Sequence, residues 1–341
     1  MIHGGLELSF KGPQATVRHC CLRPTRWPIN NQNPWTNQNL LPLREYNLSG
    51  QWDKHCMNCE SLEKANLTSF RQGMNQGLRV DSRGPARIDL MFDISCNLAC
   101  RTCSTSSSTL WQKHLKQHGL WPKPIWSPRK VDEAIDVLSK MDLTNLQQLV
   151  FCGGETLLGS VHWEIVQWLA DNVSTTKKHL TLCFQTNGTQ PIPAKYHELL
   201  DRFHLIKCHV SLDGIAQRFE YLRWPASWNQ VTENLLELRE SVPSNVMFLI
   251  EETVSIFNLF YLGELDQWVV KNFATNREGD PVIHTKHLAH GIYRLDNCSA
   301  RYREAMENSK YCLLLPDELN VNESEIKTML STIDQFDQFR D

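Results

Sequence analysis

The chain has 341 residues, of which 41% are hydrophobic, and its formal net charge is −3. This length and apolar content predict one large globular domain with a smaller appendage. The charge balance and the absence of a long basic run argue against a nucleic-acid-binding surface, and no apolar stretch is long enough to span a membrane. The start of the chain has no signal-peptide pattern, so we expect a cytoplasmic protein whose twelve cysteines are thiols or metal ligands.

The amino-terminal segment, residues 1–85, predicts a small, loop-rich, metal-binding domain. Its prolines and the polar run Asn30–Asn33 exclude long helices. A segment with so little regular structure needs a covalent or metal staple. The candidate ligands are two pairs of cysteines, namely Cys20, Cys21, Cys56 and Cys59. Their spacing is compatible with zinc and with an iron–sulfur cluster, and Asp81–Pro85 predicts a linker to the next domain.

A loop with three cysteines, Cys96, Cys100 and Cys103, follows a strand pattern that ends near Ile94. The spacing is C-x3-C-x2-C, and the run Ser104–Ser108 predicts the start of a helix. Three thiolates on one short loop can hold a metal centre and leave one metal position open for a ligand. The alternative is a structural zinc whose fourth ligand lies elsewhere in the chain.

Residues 86–295 alternate between strand and helix patterns, which predicts an α/β domain with a parallel sheet. The predicted strands are 88–94, 149–152, 179–185, 204–212, 246–254 and 282–285. Helices are predicted from near Leu110, from Ser127–Pro128, around Ile165, within 191–202, from near Trp228 and from Leu259. In such folds the functional residues lie at the carboxyl ends of the strands.

Three short motifs follow predicted strands. The first is Gly153-Gly154-Glu155, the second begins with Thr186-Asn187, and the third contains Ser211 and Asp213. Taken alone, each motif predicts a turn. The two glycines also allow the backbone to approach a ligand closely, and the polar side chains offer hydrogen-bonding groups.

The strand cysteines and the carboxyl-terminal segment are predicted to have structural roles in packing. Cys152, Cys183 and Cys208 lie within strand patterns and are expected to pack as small apolar side chains. Residues 296–341 predict a helical tail packed on the body, with an apolar stripe at Ile326, Met329, Leu330 and Ile333. Cys298 and Cys312 precede that stripe.

The cysteine loop and the motifs after it resemble the radical S-adenosylmethionine (SAM) enzyme superfamily. The resemblance covers CNL-x-C and the third cysteine, the GGE segment, the TNG turn, the S-x-D-G strand end and the later strand that ends at Thr253–Asn258, all in the family's order. It implies a partial (β/α)6 barrel with its site at the carboxyl ends of the strands. Thr102 and Thr156 depart from the aromatic residue and the proline that are common at these positions.

The resemblance implies specific roles. Cys96, Cys100 and Cys103 would hold a [4Fe–4S] cluster that binds SAM. Gly153, Gly154 and Glu155 would accept hydrogen bonds from its amine. Thr186 and Asn187 would contact the carboxylate or the ribose of SAM, and Ser211 and Asp213 would hold the ribose hydroxyls. The family implies reductive cleavage of SAM to a 5′-deoxyadenosyl radical.

The amino-terminal cysteines resemble the "twitch" domain, a shortened relative of the SPASM domain that holds an auxiliary [4Fe–4S] cluster. Trp35, Arg44, Glu63, Ser69 and Arg71 belong to the same pattern. Such domains commonly follow the barrel, whereas here the segment precedes it.

The predicted function is hydrogen abstraction from a peptide or a small-molecule substrate, with an electron donor such as a ferredoxin or flavodoxin. One alternative is a non-catalytic iron–sulfur or zinc protein that transfers electrons. A second alternative is an RNA-modifying enzyme, which the acidic charge balance disfavours.

Overall fold

The computed structural model describes residues 5–20, 25–53, 56–66, 68–80, 82–127, 129–273 and 283–288, and five single positions near the carboxyl end. One sheet of nine strands organises these residues, in the order β3-β2-β1-β4-β5-β6-β7-β8-β9. The strands are β1 Gly5–Ser9, β2 Thr16–Arg18, β3 Trp27–Pro28, β4 Arg87–Met91, β5 Gln148–Phe151, β6 Thr181–Thr186, β7 Leu205–Ser211, β8 Val246–Val254 and β9 Ile283–Leu288. All pairings from β1 through β4 to β9 are parallel, while β2 runs antiparallel to β1 and to β3.

Helices connect the parallel strands, as the right-handed crossover of such sheets requires. They are α1 Leu41–Leu48, α2 Met57–Lys64, α3 Phe70–Asn75, α4 Thr109–Gln117, α5 Val131–Ser139, α6 Val161–Asn172, α7 Thr176–His179, α8 His197–Leu200, α9 Ala216–Leu222, α10 Trp228–Ser241 and α11 Leu262–Phe273. Short 3-10 helices precede α8 and α11. The predicted α/β class and parallel sheet are therefore confirmed.

The two faces of the sheet differ in polarity. On β7, buried and half-buried residues alternate, with Ile206, Cys208 and Val210 buried. These side chains join helix residues such as Leu169 and Leu235 in one apolar core. The opposite side, called here the polar face, carries the intervening side chains. They include Asp89, Cys183, Gln185, His209, Ser211 and Glu251.

All six predicted strands of the main domain agree with the structure, since β4 to β9 overlap them in order. The helix predicted at Ser127–Pro128 instead begins at Val131, and Pro128 is outside the described residues. The helix predicted within 191–202 is divided into a 3-10 turn, Ala194–Tyr196, and α8.

The amino-terminal segment contains more regular structure than its sequence predicts. Strand β1 pairs with β4 over five residues, and Leu6, Leu8 and Phe10 are at most 2% exposed. Glu7 lies on the other face of β1, 3% exposed, and pairs with Arg18 and Arg26. The hairpin β1–β2 is thus part of the main sheet, and the division of the chain at residue 85 stays a prediction.

The carboxyl tail is described at Lys327, Ser331, Ile333, Asp334 and Asp337, all of them helical. The rest of the predicted apolar stripe lies outside the described residues. Within the described part of the chain, no helix combines the length and the apolar character needed to cross a bilayer.

Candidate functional site

The cysteine loop leaves the end of β4 and is held on one side by the start of α4. Ser108 caps α4 by accepting a hydrogen bond from the Trp111 amide at 3.2 Å, and its hydroxyl donates to the Leu98 carbonyl at 2.6 Å. The Trp111 indole N–H donates to the Cys100 carbonyl at 2.9 Å. A serine-rich run after three cysteines therefore caps the helix and also fixes the loop.

The segment after α9 holds the loop on its other side. The amide of Ala99 donates to the Trp224 carbonyl at 2.7 Å, and the amide of Arg101 donates to the Leu222 carbonyl at 2.8 Å. The loop backbone is thus bonded to two separate parts of the chain, which limits its freedom to change shape.

Arg101, between the second and third cysteines, is 1% exposed. Its guanidinium lies 3.7 Å from the centroid of the Tyr221 ring, and it forms an ion pair with Asp337 of the carboxyl tail. A buried guanidinium needs such a counter-ion, so the tail completes the packing of the cysteine loop.

The three thiols are buried to different degrees, and burial raises the pKa of each. The pKa of Cys96 rises to about 12, and the pKa values of Cys100 and Cys103 also rise. Nearby thiol charges raise the pKa of Cys100 further, whereas the charge of Arg223 lowers it. Such thiols stay protonated until a metal displaces their protons, as cysteine ligands of metal centres do.

The spacing of the three sulfur atoms differs from that of a site for one small ion. Tetrahedral zinc with bonds of about 2.3 Å brings its sulfur ligands to about 3.8 Å from one another. Among the described residues, the one His/Cys/Asp/Glu group with all ligand atoms within 4.8 Å is Glu252, Asp266 and His284. At least one pair of the loop sulfur atoms is therefore more than 4.8 Å apart, farther than a single zinc ion requires. A multi-iron cluster suits this sulfur donor set.

The group formed by Glu252, Asp266 and His284 already contains a cation. Lys286 Nζ lies 2.5 Å from Asp266 Oδ1 and 3.5 Å from Glu252 Oε2. The group joins β8, β9 and α11, and its lysine supplies the positive charge that a metal ion would otherwise bring.

The two glycines of the GGE motif are required by the cysteine loop. A Cβ on Gly153, whose φ is +109°, would lie 2.2 Å from the Asp93 carbonyl oxygen, and one on Gly154 would lie 2.0 Å from that of Ser95. The close approach expected toward a ligand is therefore made by the chain's own backbone. The amide of Glu155 continues this contact by donating to the Ser95 carbonyl at 2.8 Å.

Glu155 is 2% exposed, and its carboxylate accepts three hydrogen bonds. The donors are the amide of Leu157 at 3.0 Å, the hydroxyl of Thr186 at 2.8 Å and the amide of Asn187 at 2.6 Å. Burial raises the pKa of Glu155, and these hydrogen bonds oppose that shift. The carboxylate thus fastens the GGE turn to the TNG turn.

Side-chain hydrogen bonds also connect the TNG turn to the cysteine loop. Asn187 Nδ2 donates to Asn97 Oδ1 at 3.0 Å and lies 3.9 Å from Cys96 Sγ. Asn97 Nδ2 donates to the Thr189 hydroxyl at 2.8 Å. The structure therefore brings Cys96, the GGE segment and the TNG turn into one hydrogen-bonded assembly at the ends of β4, β5 and β6.

Asp213 follows β7, and its two carboxylate oxygens both have partners. One accepts from the Thr253 amide at 2.8 Å, and the other lies 2.8 Å from Arg223 Nη2. Arg223 Nη1 is 4.0 Å from Cys100 Sγ. Burial lowers the pKa of Arg223, but the negative charge of Asp213 outweighs it and raises that pKa. Ser211 is half-buried on the polar face.

Sequence reasoning missed Arg223, because it belongs to none of the motifs. The signal that finds it is its position directly after α9, where the neighbouring Leu222 and Trp224 carbonyls bind the cysteine loop. A permanent cation beside the Cys100 thiol and paired with Asp213 identifies this residue as part of the site.

The described amino-terminal cysteines lie near one another. Cys56 and Cys59 are 9% and 8% exposed, and Cys20 is half-buried. Burial raises the pKa of Cys56, and the charges of Asp53, Cys20 and Cys59 raise it further. Cys21 lies outside the described residues.

The polar and aromatic residues of the same pattern form two contacts. Arg44 lies 3.4 Å over the Trp35 ring and bonds its carbonyl oxygen. Glu63 pairs with Arg71 and accepts from the Ser69 hydroxyl at 2.5 Å. These residues thus stabilise the segment that carries Cys56 and Cys59.

The strand cysteines do not all pack as predicted. Cys208 does join the apolar core. Cys152 and Cys183 instead belong to the polar face, because they alternate with the core residues Phe151, Leu182 and Phe184. Cys298 and Cys312 lie outside the described residues.

Comparison with known proteins supports the resemblance of the central region. The family model described as the radical SAM superfamily matches residues 94–258, somewhat less than half of the chain. No curated protein sequence matches. Residues 94–258 are thus similar to the radical SAM superfamily.

Solved structures show distant similarity. A polyhistidine-tagged form of anSMEcpe with bound AdoMet is 17% identical, with 60% of this chain and 49% of that chain covered and a TM-score of 0.44. Streptococcus suis SuiB bound to its precursor peptide SuiA is 10% identical, with 90% and 68% covered and a TM-score of 0.42. SuiB bound to S-adenosylmethionine is 11% identical, with 76% and 55% covered and a TM-score of 0.39. The chain spans about half the length of anSMEcpe.

Proposed function

We propose that this chain is a radical SAM enzyme in which Cys96, Cys100 and Cys103 hold a [4Fe–4S] cluster and SAM binds at the open iron. The observation that carries the proposal is the loop itself. Its Cys100 thiol is buried and those of Cys96 and Cys103 are half-buried, its backbone is bonded on two sides, and at least one pair of its sulfur atoms lies farther apart than one zinc ion requires. When bound, the cluster and SAM supply a 5′-deoxyadenosyl radical that removes a hydrogen atom from the substrate.

In this proposal, the protein's own groups bind and orient SAM. Arg223 presents a buried positive charge beside Cys100, which suits the methionyl carboxylate. The backbone carbonyls of Gly153 and Gly154 accept from the methionyl amine. Ser211 and Asp213 are proposed to hold the ribose hydroxyls, and Thr186 and Asn187 to contact the carboxylate or the ribose.

Glu155 has a positioning role in this proposal. Its carboxylate already accepts three hydrogen bonds, so it fixes the turns that surround the cofactor. In this proposal the Glu155 carboxylate does not accept a hydrogen bond from the SAM amine, because its acceptor positions are already occupied.

We also propose an auxiliary cluster on Cys20, Cys21, Cys56 and Cys59, within a twitch-like domain. The shared burial of Cys56 and Cys59, and the effect of Cys20 on Cys56, support a common ligand set. Zinc at this position remains the competing assignment. The cluster on the main loop requires one-electron reduction, for which a ferredoxin or flavodoxin is the proposed donor.

The substrate is proposed to be a peptide or a small molecule. Peptide modification and alcohol dehydrogenation are the first two reactions to test. The competing function is electron transfer without SAM cleavage, and the next one is RNA modification.

Iron and sulfide counts after anaerobic reconstitution test the clusters. We expect about eight irons in the wild type and about four after Cys96, Cys100 and Cys103 are all changed to Ala. The control is Cys208→Ala, which removes a core thiol and leaves the count unchanged. About four irons in the wild type would eliminate the auxiliary cluster. An unchanged count in the triple variant would eliminate the main cluster.

Incubation of the loaded protein with dithionite and SAM tests the activity. We expect 5′-deoxyadenosine from the wild type and none from the triple variant. Full cluster loading without this product would instead favour the electron-transfer function.

A further inference from the structure

The polar face carries a surplus of positive charge beside the amino-terminal hairpin. Glu7 pairs with Arg18 and Arg26. Asp89, its register partner on β4, pairs with Arg87 at 2.8 Å. Three guanidinium groups therefore share two carboxylates, and all five side chains are at most 27% exposed. The chain as a whole carries a net charge of −3, so this positive surplus is local.

Arg26 keeps a hydrogen-bond donor that its ion pair does not use. Its Nη2 lies 2.5 Å from Glu7 Oε1, while Arg18 donates to the other oxygen of the same carboxylate. The Nη1 atom of Arg26 is buried, and none of the described residues accepts a hydrogen bond from it. A buried donor without an acceptor costs free energy, which a bound anion would recover.

Lys11 adds a second cation at the carboxyl end of β1. Its Nζ donates to the Ser106 carbonyl at 2.6 Å, and that partner is neutral. Within the part of the chain that the structure describes, Lys11 forms no ion pair with a carboxylate. Ser106 belongs to the segment that directly follows Cys103, so Lys11 connects the hairpin to the cysteine loop.

The charges of Lys11 and Arg26 act on each other. Burial lowers the pKa of Lys11, and the positive charge of Arg26 lowers it further. The charges of Glu7, Cys103 and Cys152 oppose this shift. Two partly buried cations that repel one another are stabilised together when an anion binds between them.

We propose that Lys11 and Arg26 form a subsite that binds an oxyanion of the substrate, either a carboxylate or a phosphate group. Guanidinium and ammonium groups are the side chains with which proteins bind such oxyanions. The inference rests on the proposed function, because it requires the substrate to lie on the polar face beside the cysteine loop. It assigns the substrate to the acidic molecules.

The position of the subsite separates it from the proposed SAM contacts. Lys11 and Arg26 precede residues 94–258, which contain the cysteine loop and the three motifs. Glu7 already occupies Arg26 Nη2, so the groups that remain for the oxyanion are Arg26 Nη1 and Lys11 Nζ. Neutralising either cation should therefore weaken oxyanion binding and leave the SAM-binding groups in place.

Isothermal titration calorimetry of the anaerobically reconstituted full-length protein with succinate and with inorganic phosphate tests the subsite. We expect saturable binding of at least one probe to the wild type, and the tighter probe identifies the group as a carboxylate or a phosphate. In Lys11→Gln and in Arg26→Gln we expect the Kd to rise on the order of tenfold, because each variant loses one charged donor. Lys11→Arg keeps the charge and should retain binding.

The matched control is Lys64→Gln, which removes a cation that is 73% exposed on α2 and should leave the Kd unchanged. Failure of both probes to bind the wild type would overturn the inference, as would equal Kd values in Lys11→Gln and the control. Lys11→Gln alone decides if Arg26→Gln fails to fold.

The outcome is distinguishable from that of the proposed function, because the titration needs no SAM cleavage. Protein that binds a probe but releases no 5′-deoxyadenosine would contradict the proposed function alone. Protein that cleaves SAM but binds neither probe would contradict the oxyanion subsite alone.

Discussion

Glycine at positions 153 and 154 is explained by contact within the protein. The turn that follows β5 passes so close to the Asp93–Ser95 backbone that a Cβ at either position would overlap a carbonyl oxygen. This contact positions the GGE segment against the cysteine loop before any ligand binds. The pair of glycines therefore belongs to the scaffold of the site.

We expect Gly154→Ala to destabilise the protein by about 1–3 kcal/mol, as overpacking against fixed backbone does. Urea unfolding of the variant and the wild type measures the difference. Gly73→Ala is the control, because a Cβ there meets nothing within 4 Å and the residue lies in α3. A Gly154→Ala variant as stable as the wild type would contradict the backbone contact.

His209 predicts a pH dependence of stability. Its pKa is about 9 in the folded protein, above the ordinary value of 6.5, so the folded state binds the proton more tightly. The contribution is therefore complete below pH 6.5 and is lost as the pH rises through 9. Between these pH values the free energy of unfolding of the wild type should fall by up to about 3 kcal/mol because of His209, and His209→Asn should remove that part of the fall.

Urea unfolding across this pH window, on wild type, His209→Asn and the exposed-site control His204→Asn, provides the measurement. The His209→Asn variant should give a flatter curve than either of the other two proteins. Parallel curves for all three would show that His209 carries no such proton.

The sequence predicts that the motif residues lie together at the carboxyl ends of the strands, and the structure places them there. The cysteine loop, the GGE and TNG turns and Asp213 do meet at the ends of adjacent strands. The hydrogen-bond partners of these residues could not be predicted, because side chains such as Glu155 accept hydrogen bonds from residues distant in sequence. Arg223 was missed for the same reason, since its role depends on where α9 ends.

At the scale of elements, the tail and the cysteine loop are connected by one ion pair. Arg101 is buried, and its anionic partner among the described residues is Asp337, whose side chain is 46% exposed. This pair secures a segment more than two hundred residues later in the chain to the loop. The tail therefore contributes to the stability of the site.

We expect Asp337→Asn to destabilise the loop by about 1–3 kcal/mol, because the buried guanidinium loses its charged acceptor. Proteolysis near the tail should become faster, and cluster retention during gel filtration should decrease. Asp334→Asn, at an exposed helical position, is the control. Equal behaviour of the two variants would show that the ion pair is dispensable.

Strands were predicted where the pattern of buried residues extends over four or more positions, and they were missed where the strand has only two or three residues. Strands β5 to β8 have buried residues on at least one face over four to nine positions, which the sequence reveals. Strands β2 and β3 have three and two residues, too few for a periodic pattern. The alternation of Leu6, Leu8 and Phe10 was present in the sequence and would have predicted β1.

At the scale of the whole molecule, the amino-terminal hairpin extends the parallel sheet. Glu7 on β1 accepts two hydrogen bonds from Arg18 at 2.9 and 2.7 Å, and it pairs with Arg26 at 2.5 Å. This buried carboxylate connects β1, β2 and the segment before β3. Sheet order of this kind depends on long-range pairing, which single-sequence periodicity does not contain.

We expect Glu7→Gln to destabilise the protein by about 3–5 kcal/mol, since two arginines lose their shared buried counter-ion. Thermal or urea unfolding monitored by circular dichroism measures the loss. Glu60→Gln is the control, because Glu60 forms an i,i+4 pair with the exposed Lys64. A small and equal effect of both changes would mean that the hairpin is not integral to the sheet.

The position of β4 between two parallel neighbours has a consequence for maturation. Its backbone is bonded to β1 on one edge and to β5 on the other, so the exit point of the cysteine loop is already fixed in the polypeptide. Under the proposed function, iron would enter a site whose backbone is already in place, and metal binding would require little rearrangement of the surrounding chain. Far-ultraviolet spectra of metal-free and metal-loaded protein should accordingly superimpose.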